Sequence, residues 1–291
     1  MTLIELVKQS ADRLEQAGVA FGHGTTNAFD EAVWLVLWSL GLPLDDLDGV
    51  AEMAVSPQQR DAVQELIDER IRSRKPAAYL TREAWLQGVP FYVDERAIVP
   101  RSFIAELLVT GHLDPWFASH DGRILDLCTG NGSLAVLAAM AYPHASVDAA
   151  DISGDALAVA RINIDQHELQ DRITLIESDG FDSVTGRYDL ILCNPPYVNA
   201  QAMAQLPPEY RAEPRLALAG GTDGMDFVRR LVRDAPSHMH RQAALVLEIG
   251  NERANFEAAF PQQAAVWLDT SAGDDQVLVL TREAIAGKER A

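Results

Sequence analysis

The sequence predicts an α/β protein: a doubly wound, mostly parallel sheet with an antiparallel last strand, preceded by a small helical domain. Three observations carry this. From Arg123 onward, strand-length apolar runs alternate with helix-length runs. The last two strand runs are joined by a turn too short for a helical crossover, which makes them an antiparallel pair. Ahead of Arg123, the chain to about Tyr79 has helical periodicity and no strand signal between its helices.

The elements follow in order. Ile4, Val7, Ala11 and Leu14 form one apolar stripe at helical spacing. Asn27 or Asp30 caps a helix through Glu31–Leu40, which Gly41 and Pro43 end. Ser56 and Pro57 suit the cap and first position of a third helix, with Val63, Leu66, Ile67 and Arg70 or Ile71 at helical spacing. Residues 1–79 therefore read as a helical domain, 80–105 as a linking segment and 106–291 as the α/β domain. In the link, Ala84–Leu86 and Pro90–Val93 read as a hairpin around Gly88, followed by Ala97–Pro100. Strands are expected at Arg123–Cys128, Ser146–Asp151, Ile173–Ser178, Asp189–Cys193 and Ala243–Ile249, then the pair Ala265–Asp269 and Gln276–Thr281. Helices are expected at Ser133–Tyr142, Asp155–Glu168 and Asp226–Met239. The tail Ala284–Ala291 carries no signal.

Composition excludes several function classes. At 48% apolar residues the 291-residue chain can bury a proper core. Its formal charge of −19 repels a nucleic-acid duplex and favours a basic partner. Cys128 and Cys193 stand far apart, with no spacing that suits zinc or a disulfide framework, so reduced intracellular thiols are expected. The start, Met1-Thr-Leu-Ile-Glu5, has no basic segment ahead of an apolar run. The most apolar stretch, Ala32–Leu42, is too short for a bilayer, which takes about 20 residues. The expectation is a soluble cytoplasmic protein.

The first strand of the α/β domain runs into Asp126-Leu-Cys-Thr-Gly-Asn-Gly132, and a helix follows at once. Gly130 and Gly132 permit a tight turn and close approach to a ligand outside the carboxyl ends of the strands. No third glycine follows to cradle a pyrophosphate, which favours a nucleoside without phosphates over a dinucleotide. Asp151 ends the second strand, where an acid accepts from ribose hydroxyls. Asp179 ends the third, where a carboxylate can receive an exocyclic amino group. Acids at Asp126, Asp151 and Asp179 would also suit a cationic sulfonium. The bland alternative is a plain turn with capping acids, and three successive strand ends weigh against it.

The fourth strand runs into Asn194-Pro195-Pro196-Tyr197. Two prolines fix the backbone and remove two donors. The Asn194 side-chain oxygen and the Pro195 carbonyl remain as acceptors for the two N–H bonds of a planar NH2 group, and Tyr197 offers it an aromatic face. An amide nitrogen is a poor nucleophile because its lone pair is delocalised, so the chemistry asks for positioning and pre-aimed dipoles rather than a strong base.

These motifs resemble the class I methyltransferases, and more closely the protein glutamine N5-methyltransferases. The resemblance runs nearly end to end and includes Ala77–Tyr79, Phe91–Val93, Val99–Arg101, Glu213-Pro214, Ala217-Leu218, Gly220-Gly221 and Asp223-Gly224. It implies a seven-stranded Rossmann-like domain, a hairpin and a helical substrate-binding domain. Gly22-His-Gly-Thr25, Asp30-Glu-Ala32, Tyr79–Trp85, Val99-Pro-Arg-Ser102 with Glu106, and Glu248-Ile-Gly-Asn251 resemble the branch that modifies large-subunit ribosomal protein three rather than the sister branch that modifies the Gly-Gly-Gln loop of release factors. The resemblance implies S-adenosyl-L-methionine as methyl donor, with S-adenosyl-L-homocysteine as product. Asp126, Cys128, Thr129, Gly130, Asn131, Gly132, Asp151, Ile152, Asp179, Gly180, Phe181 and Asn194 are implied around the cofactor, and Asn194, Pro195, Pro196 and Tyr197 at the glutamine. Two positions depart from the family pattern: Phe103 stands where a proline is expected, and Gly180 where bulkier residues are usual, which passes adenine packing to Phe181. Glu213 and Arg101 read either as site neighbours or as a solvated acid and a surface arginine.

Arg70, Arg72, Arg74, Lys75 and Arg82 form a basic cluster near the domain junction, read either as a ribosomal RNA contact or as a solvated helix end. Two further functions share some of these features. An adenine N6 DNA methyltransferase can use the same tetrad on a flipped base but needs a basic DNA-binding face. A non-catalytic ribosome assembly factor would not need the tetrad. The expected partner is the ribosomal protein, free or in an assembling particle, with neither DNA nor membrane.

Overall fold

The computed structural model describes residues 1–117 and 121–286; the last five residues of the tail lie outside them. The chain opens with α1 (Leu3–Gln16), started by a reciprocal Thr2–Glu5 capping box. Asn27 caps α2 (Ala28–Ser39) by accepting the Asp30 backbone N–H. A single turn, α3 (Leu47–Val50), precedes α4 (Pro57–Ser73), which begins at the Ser56–Pro57 cap. The apolar faces of α1, α2 and α4 meet in one core around Leu6, Leu14, Leu35, Val63 and Ile67. A short α5 (Ala77–Thr81), which the sequence did not announce, leads into the hairpin β1 (Glu83–Leu86) and β2 (Val89–Tyr92).

The α/β part begins with α6 (Phe103–Val109), capped by Ser102. There follow β3 (Arg123–Leu127), α7 (Ser133–Ala141), β4 (Ser146–Asp151), α8 (Gly154–Gln166), β5 (Ile173–Glu177) and β6 (Tyr188–Cys193). Two short helices, α9 (Ala200–Gln205) and α10 (Pro208–Arg211), precede α11 (Asp226–Asp234) and β7 (Met239–Glu248). The chain closes with α12 (Arg253–Ala259), the antiparallel pair β8 (Val266–Thr270) and β9 (Gly273–Thr281), and α13 (Arg282–Ala286).

The seven strands lie in the order β5-β4-β3-β6-β7-β9-β8, parallel except for β9, which runs antiparallel to both neighbours. The helix expected to run to Met239 stops at Asp234. Pro236 removes a donor just beyond it, and Met239 already belongs to β7, four residues before the expected start of that strand. Alternate strand residues serve two cores. Leu190, Leu192 and Val246 pack with α7 on one face; Ile191, Leu245 and Leu247 pack with α11 and Phe256 of α12 on the other. Strand order reverses at β3, between β4 and β6, so the loops after those strands open into a shared crevice.

Candidate active site

The crevice is a cavity of about 710 Å³ at the carboxyl ends of β3, β4, β5 and β6. Cys128, Thr129, Gly130 and Asn131 from the glycine loop line it, with Asp151 and Ile152, Asp179 and Gly180, and the whole of Asn194–Tyr197.

Three residues expected at the cofactor are not among those lining the cavity. Asp126 is fully buried behind the loop, where it accepts the Thr129 hydroxyl and the Ala135 backbone N–H (3.0 Å). Burial pushes its carboxyl up to about 7. It staples the loop to α7. Gly132 faces α8, and a side chain there would meet the Ala160 Cβ at 3.0 Å, so its small size serves helix packing. Phe181 is buried in the core, stacked on His238 at 4.5 Å between centroids. The ring that lines this end of the cavity is Phe227.

Asp151 shapes the loop from the other side. One carboxylate oxygen accepts the Gly130 N–H and the other the Ser153 N–H, each at 2.9 Å. Burial raises its carboxyl above the usual range against these bonds. Asn131 is buried, and its Nδ2 has no hydrogen-bond partner among the described residues. Asp179, half exposed, is held by Arg230 through bonds of 2.6 and 3.2 Å.

Asn194 follows β6 directly, and none of the described residues holds its side-chain amide by a hydrogen bond. Tyr197 is caged. A Cβ on Gly250 would sit 2.6 Å from its ring, and one on Gly224 would press on its carbonyl oxygen. These glycines sit at left-handed φ of 52° and 81°. The resemblance motifs Asp223-Gly224 and Glu248-Ile-Gly-Asn251 thus acquire a physical reason: the backbone must wrap the tyrosine closely. Burial and the neighbouring Glu248 both raise the phenol. Glu248 itself is fully buried. It accepts the Ser102 hydroxyl at 2.6 Å and the Phe103 N–H at 2.9 Å, and burial lifts its carboxyl to about 7.

The segment after the tetrad is clasped to the first helices. Glu213 is buried and accepts from Arg101 and, at 3.0 Å, from the Val99 N–H. The buried His23 lies 3.4 Å from it. Burial opposes the charge on Glu213, yet the contacts with His23 and Arg101 hold its carboxyl down to about 2. Tyr210, on the cavity wall, packs against His23 at 4.2 Å, with the Arg101 guanidinium 5.4 Å from its ring centre. Glu209 is wholly buried; it accepts the Ala20 N–H and pairs with Arg70 and, at 2.7 Å, with Arg74. His23 and Glu248 carried only a resemblance, and Glu209 and Tyr210 carried no signal at all.

This overturns part of the basic-cluster reading. Arg70 is fully buried against Glu31 at 2.8 Å, Arg74 serves Glu209, and Lys75 pairs with Glu95 at 2.6 Å. An arginine with no exposed surface touches no RNA.

The Methyltransferase small domain family model matches residues 105–207. Among solved structures, the hMettl16 catalytic domain superposes with a TM-score of 0.53 at 14% identity, covering 78% of this chain and 81% of its own, a likeness of fold alone. The chain is 55% identical over 285 residues to the ribosomal protein uL3 glutamine methyltransferase of Bordetella pertussis, covering 97% of this chain and 95% of that one. It is 54% identical to the protein of the same description from Burkholderia pseudomallei, covering 96% and 94%. With this likeness along nearly its whole length, the chain belongs to the ribosomal protein uL3 glutamine methyltransferase family.

Proposed function

We propose that this chain transfers the methyl group of S-adenosyl-L-methionine to the side-chain amide nitrogen of a glutamine in large-subunit ribosomal protein uL3, releasing S-adenosyl-L-homocysteine and a proton. One observation carries the reading: the unengaged Asn194 amide stands at the end of β6 in the same cavity as the glycine loop and Asp151. The cavity volume lies within the range of cofactor pockets. The unpartnered Asn131 Nδ2 and the carboxylates of Asp151 and Asp179 suit a polar cationic nucleoside.

When bound, the cofactor supplies an electrophilic methyl on a sulfonium. The chain does the rest by positioning. The Asn194 oxygen and the Pro195 carbonyl accept the two amide N–H bonds, turning the nitrogen lone pair toward the methyl. The caged Tyr197 ring fixes the plane of the amide. The methylated nitrogen is acidic and sheds its proton without a dedicated base. Asp151 serves the ribose, Asp179 the base, and Asp126 and Gly132 support the loop from behind. Residues 1–79 act as the substrate-recognition domain, 80–105 as the linker and 106–291 as the catalytic domain, in a cytoplasmic enzyme. Any contact with ribosomal RNA falls to Arg72, Lys75 and Arg82, whose side chains reach the surface, Arg72 beside Glu69 and Lys75 beside Glu95.

The test supplies methyl-labelled cofactor with two competing acceptors, a release factor and unmethylated large-subunit material, and locates the methyl by mass spectrometry of the digests. A methyl on a glutamine of uL3 alone is the expected result. A methyl on the release factor's Gly-Gly-Gln overturns the acceptor assignment and leaves the chemistry standing.

A further inference from the structure

The end of the cavity beyond β5 has an unusual construction. The chain leaves β5 through Ser178-Asp179-Gly180, and Gly180 offers no side chain to pack against a flat ligand. The next residue, Phe181, turns into the core and stacks on His238. The space over Gly180 is closed from another element: a Cβ placed on Gly180 would lie 3.9 Å from Cε2 of Phe227, the second residue of α11. Phe227 lines the cavity and rests its other side on the core beneath the sheet.

One turn further along α11, Arg230 lies with its guanidinium 5.4 Å from the Phe227 ring centre and grips both oxygens of Asp179. Positions i and i+3 share a helix face, so the ring and the arginine present one surface to Asp179-Gly180. An aromatic plane beside an acceptor whose direction is fixed is the recognition set for a flat heterocycle with an exocyclic amino group. The sulfonium would ask for none of this.

We propose that Phe227 is the packing wall for the adenine base, and that Arg230 is a positioning residue that aims the Asp179 carboxylate at the base's amino group. This rests on reading the cavity as the S-adenosyl-L-methionine site. α11 thereby takes over from the β5 loop the packing that Gly180 cannot give.

The experiment is calorimetric titration of the full-length protein with S-adenosyl-L-homocysteine and with its deaminated analogue, S-inosyl-L-homocysteine. Phe227→Ala is expected to weaken S-adenosyl-L-homocysteine about ten- to a hundredfold, the usual worth of one aromatic on a base. Phe227→Trp keeps the plane and stays within about threefold. In turnover, Phe227→Ala raises KM for the cofactor much more than it lowers kcat. Arg230→Met is expected to erase most of the preference for the amino base over the deaminated one. Phe181→Ala lowers the melting temperature and leaves the affinity in place. A folded Phe227→Ala with wild-type affinity overturns the wall, and an intact base preference in Arg230→Met overturns the positioning role. In both cases the wild type still binds, so the reading of the cavity stands; a wild type that binds neither compound brings down the reading and the proposal together.

Discussion

Arg101 and Glu213 are joined by two hydrogen bonds, Nη1 to Oε1 at 2.6 Å and Nη2 to Oε2 at 2.7 Å, across 112 positions of chain. The fork ties the cavity wall at Val99–Ser102 to the segment that follows the tetrad, and the Val99 N–H adds a third bond to the same carboxylate. Glu213→Gln should therefore cost about 2 kcal/mol of unfolding free energy, the range of charge-assisted bonds to a buried acceptor. Arg101→Lys should cost nearly as much, because an ammonium cannot reproduce the fork. Urea denaturation of both variants checks this. A loss in Glu213→Gln alone would mean that the carboxylate serves Val99 and His23 rather than the arginine.

Asn194 gives the opposite signature. With no hydrogen bond to lose among the described residues, Asn194→Ala should melt within about a degree or two of the wild type, since such a partly exposed side chain contributes little. Its rate of methyl transfer should fall by at least about a hundredfold, as when one pre-aimed polar group is removed from a transition-state site. Single-turnover transfer beside a thermal melt separates the two effects. A variant that keeps its effect on the ribosome while transfer is lost would favour the non-catalytic assembly factor.

The buried ion cluster is where the fold is most vulnerable. Arg70 has no exposed surface and faces Glu31 and Glu209, both buried too. Arg70→Ala leaves the buried Glu31 without its cation and Glu209 with Arg74 alone, and should destabilise by about 3–5 kcal/mol. Arg70→Met with Glu31→Leu, which removes one charge of each sign, should recover much of that loss. Chemical denaturation of the single and double variants gives the coupling. Additive losses would mean that Arg70 holds the Ala20 carbonyl (3.0 Å) rather than the acids.

Why the tetrad and the strands were legible, and the clasp was not, follows from distance along the chain. Gly130, Asp151 and Asn194 each sit at the end of their own strand, and local pattern marks a strand end. The Asp226 helix starts where its local periodicity sets it, and ends at Asp234, short of Met239, because Pro236 stops it. Glu209 finds Arg70 across 139 positions and Glu213 finds Arg101 across 112, and no periodicity or spacing encodes such a meeting. Arg70 shows the error this breeds: in sequence it joins a basic cluster, and in the fold it is a buried counter-ion. Asp126 shows a gentler form, since the acid at the head of a glycine loop reads as a ligand group and turns out to hold the loop itself. Phe181 inherits the packing role from the bare Gly180 only in the linear sequence: neighbouring side chains after a strand point in different directions, and its ring turns into the core against His238.

The buried carboxylates pull stability in opposite directions with pH. Glu213 is held at about 2 in the folded chain against an ordinary 4.5, so its contribution is complete above about pH 4.5 and is lost as the pH falls toward 2. Glu248 and Asp126 are raised to about 7 from 4.5 and 3.8, so the folded chain keeps protons that the unfolded chain releases. Their effect has the other sign: stability is greatest below the ordinary carboxylate range and declines as the pH rises toward about 7. The urea midpoint of the wild type should therefore peak at about pH 4, falling on the acid side through Glu213 and toward neutrality through Glu248 and Asp126. Glu248→Gln, which keeps an acceptor for the Ser102 hydroxyl and carries no charge, should flatten the decline on the neutral side and leave the acid limb alone. Glu213→Gln should do the reverse. If Glu248→Gln leaves the neutral limb as steep as before, Glu248 is ionised in the folded chain, and its bonds from Ser102 and Phe103 outweigh the cost of burying its charge.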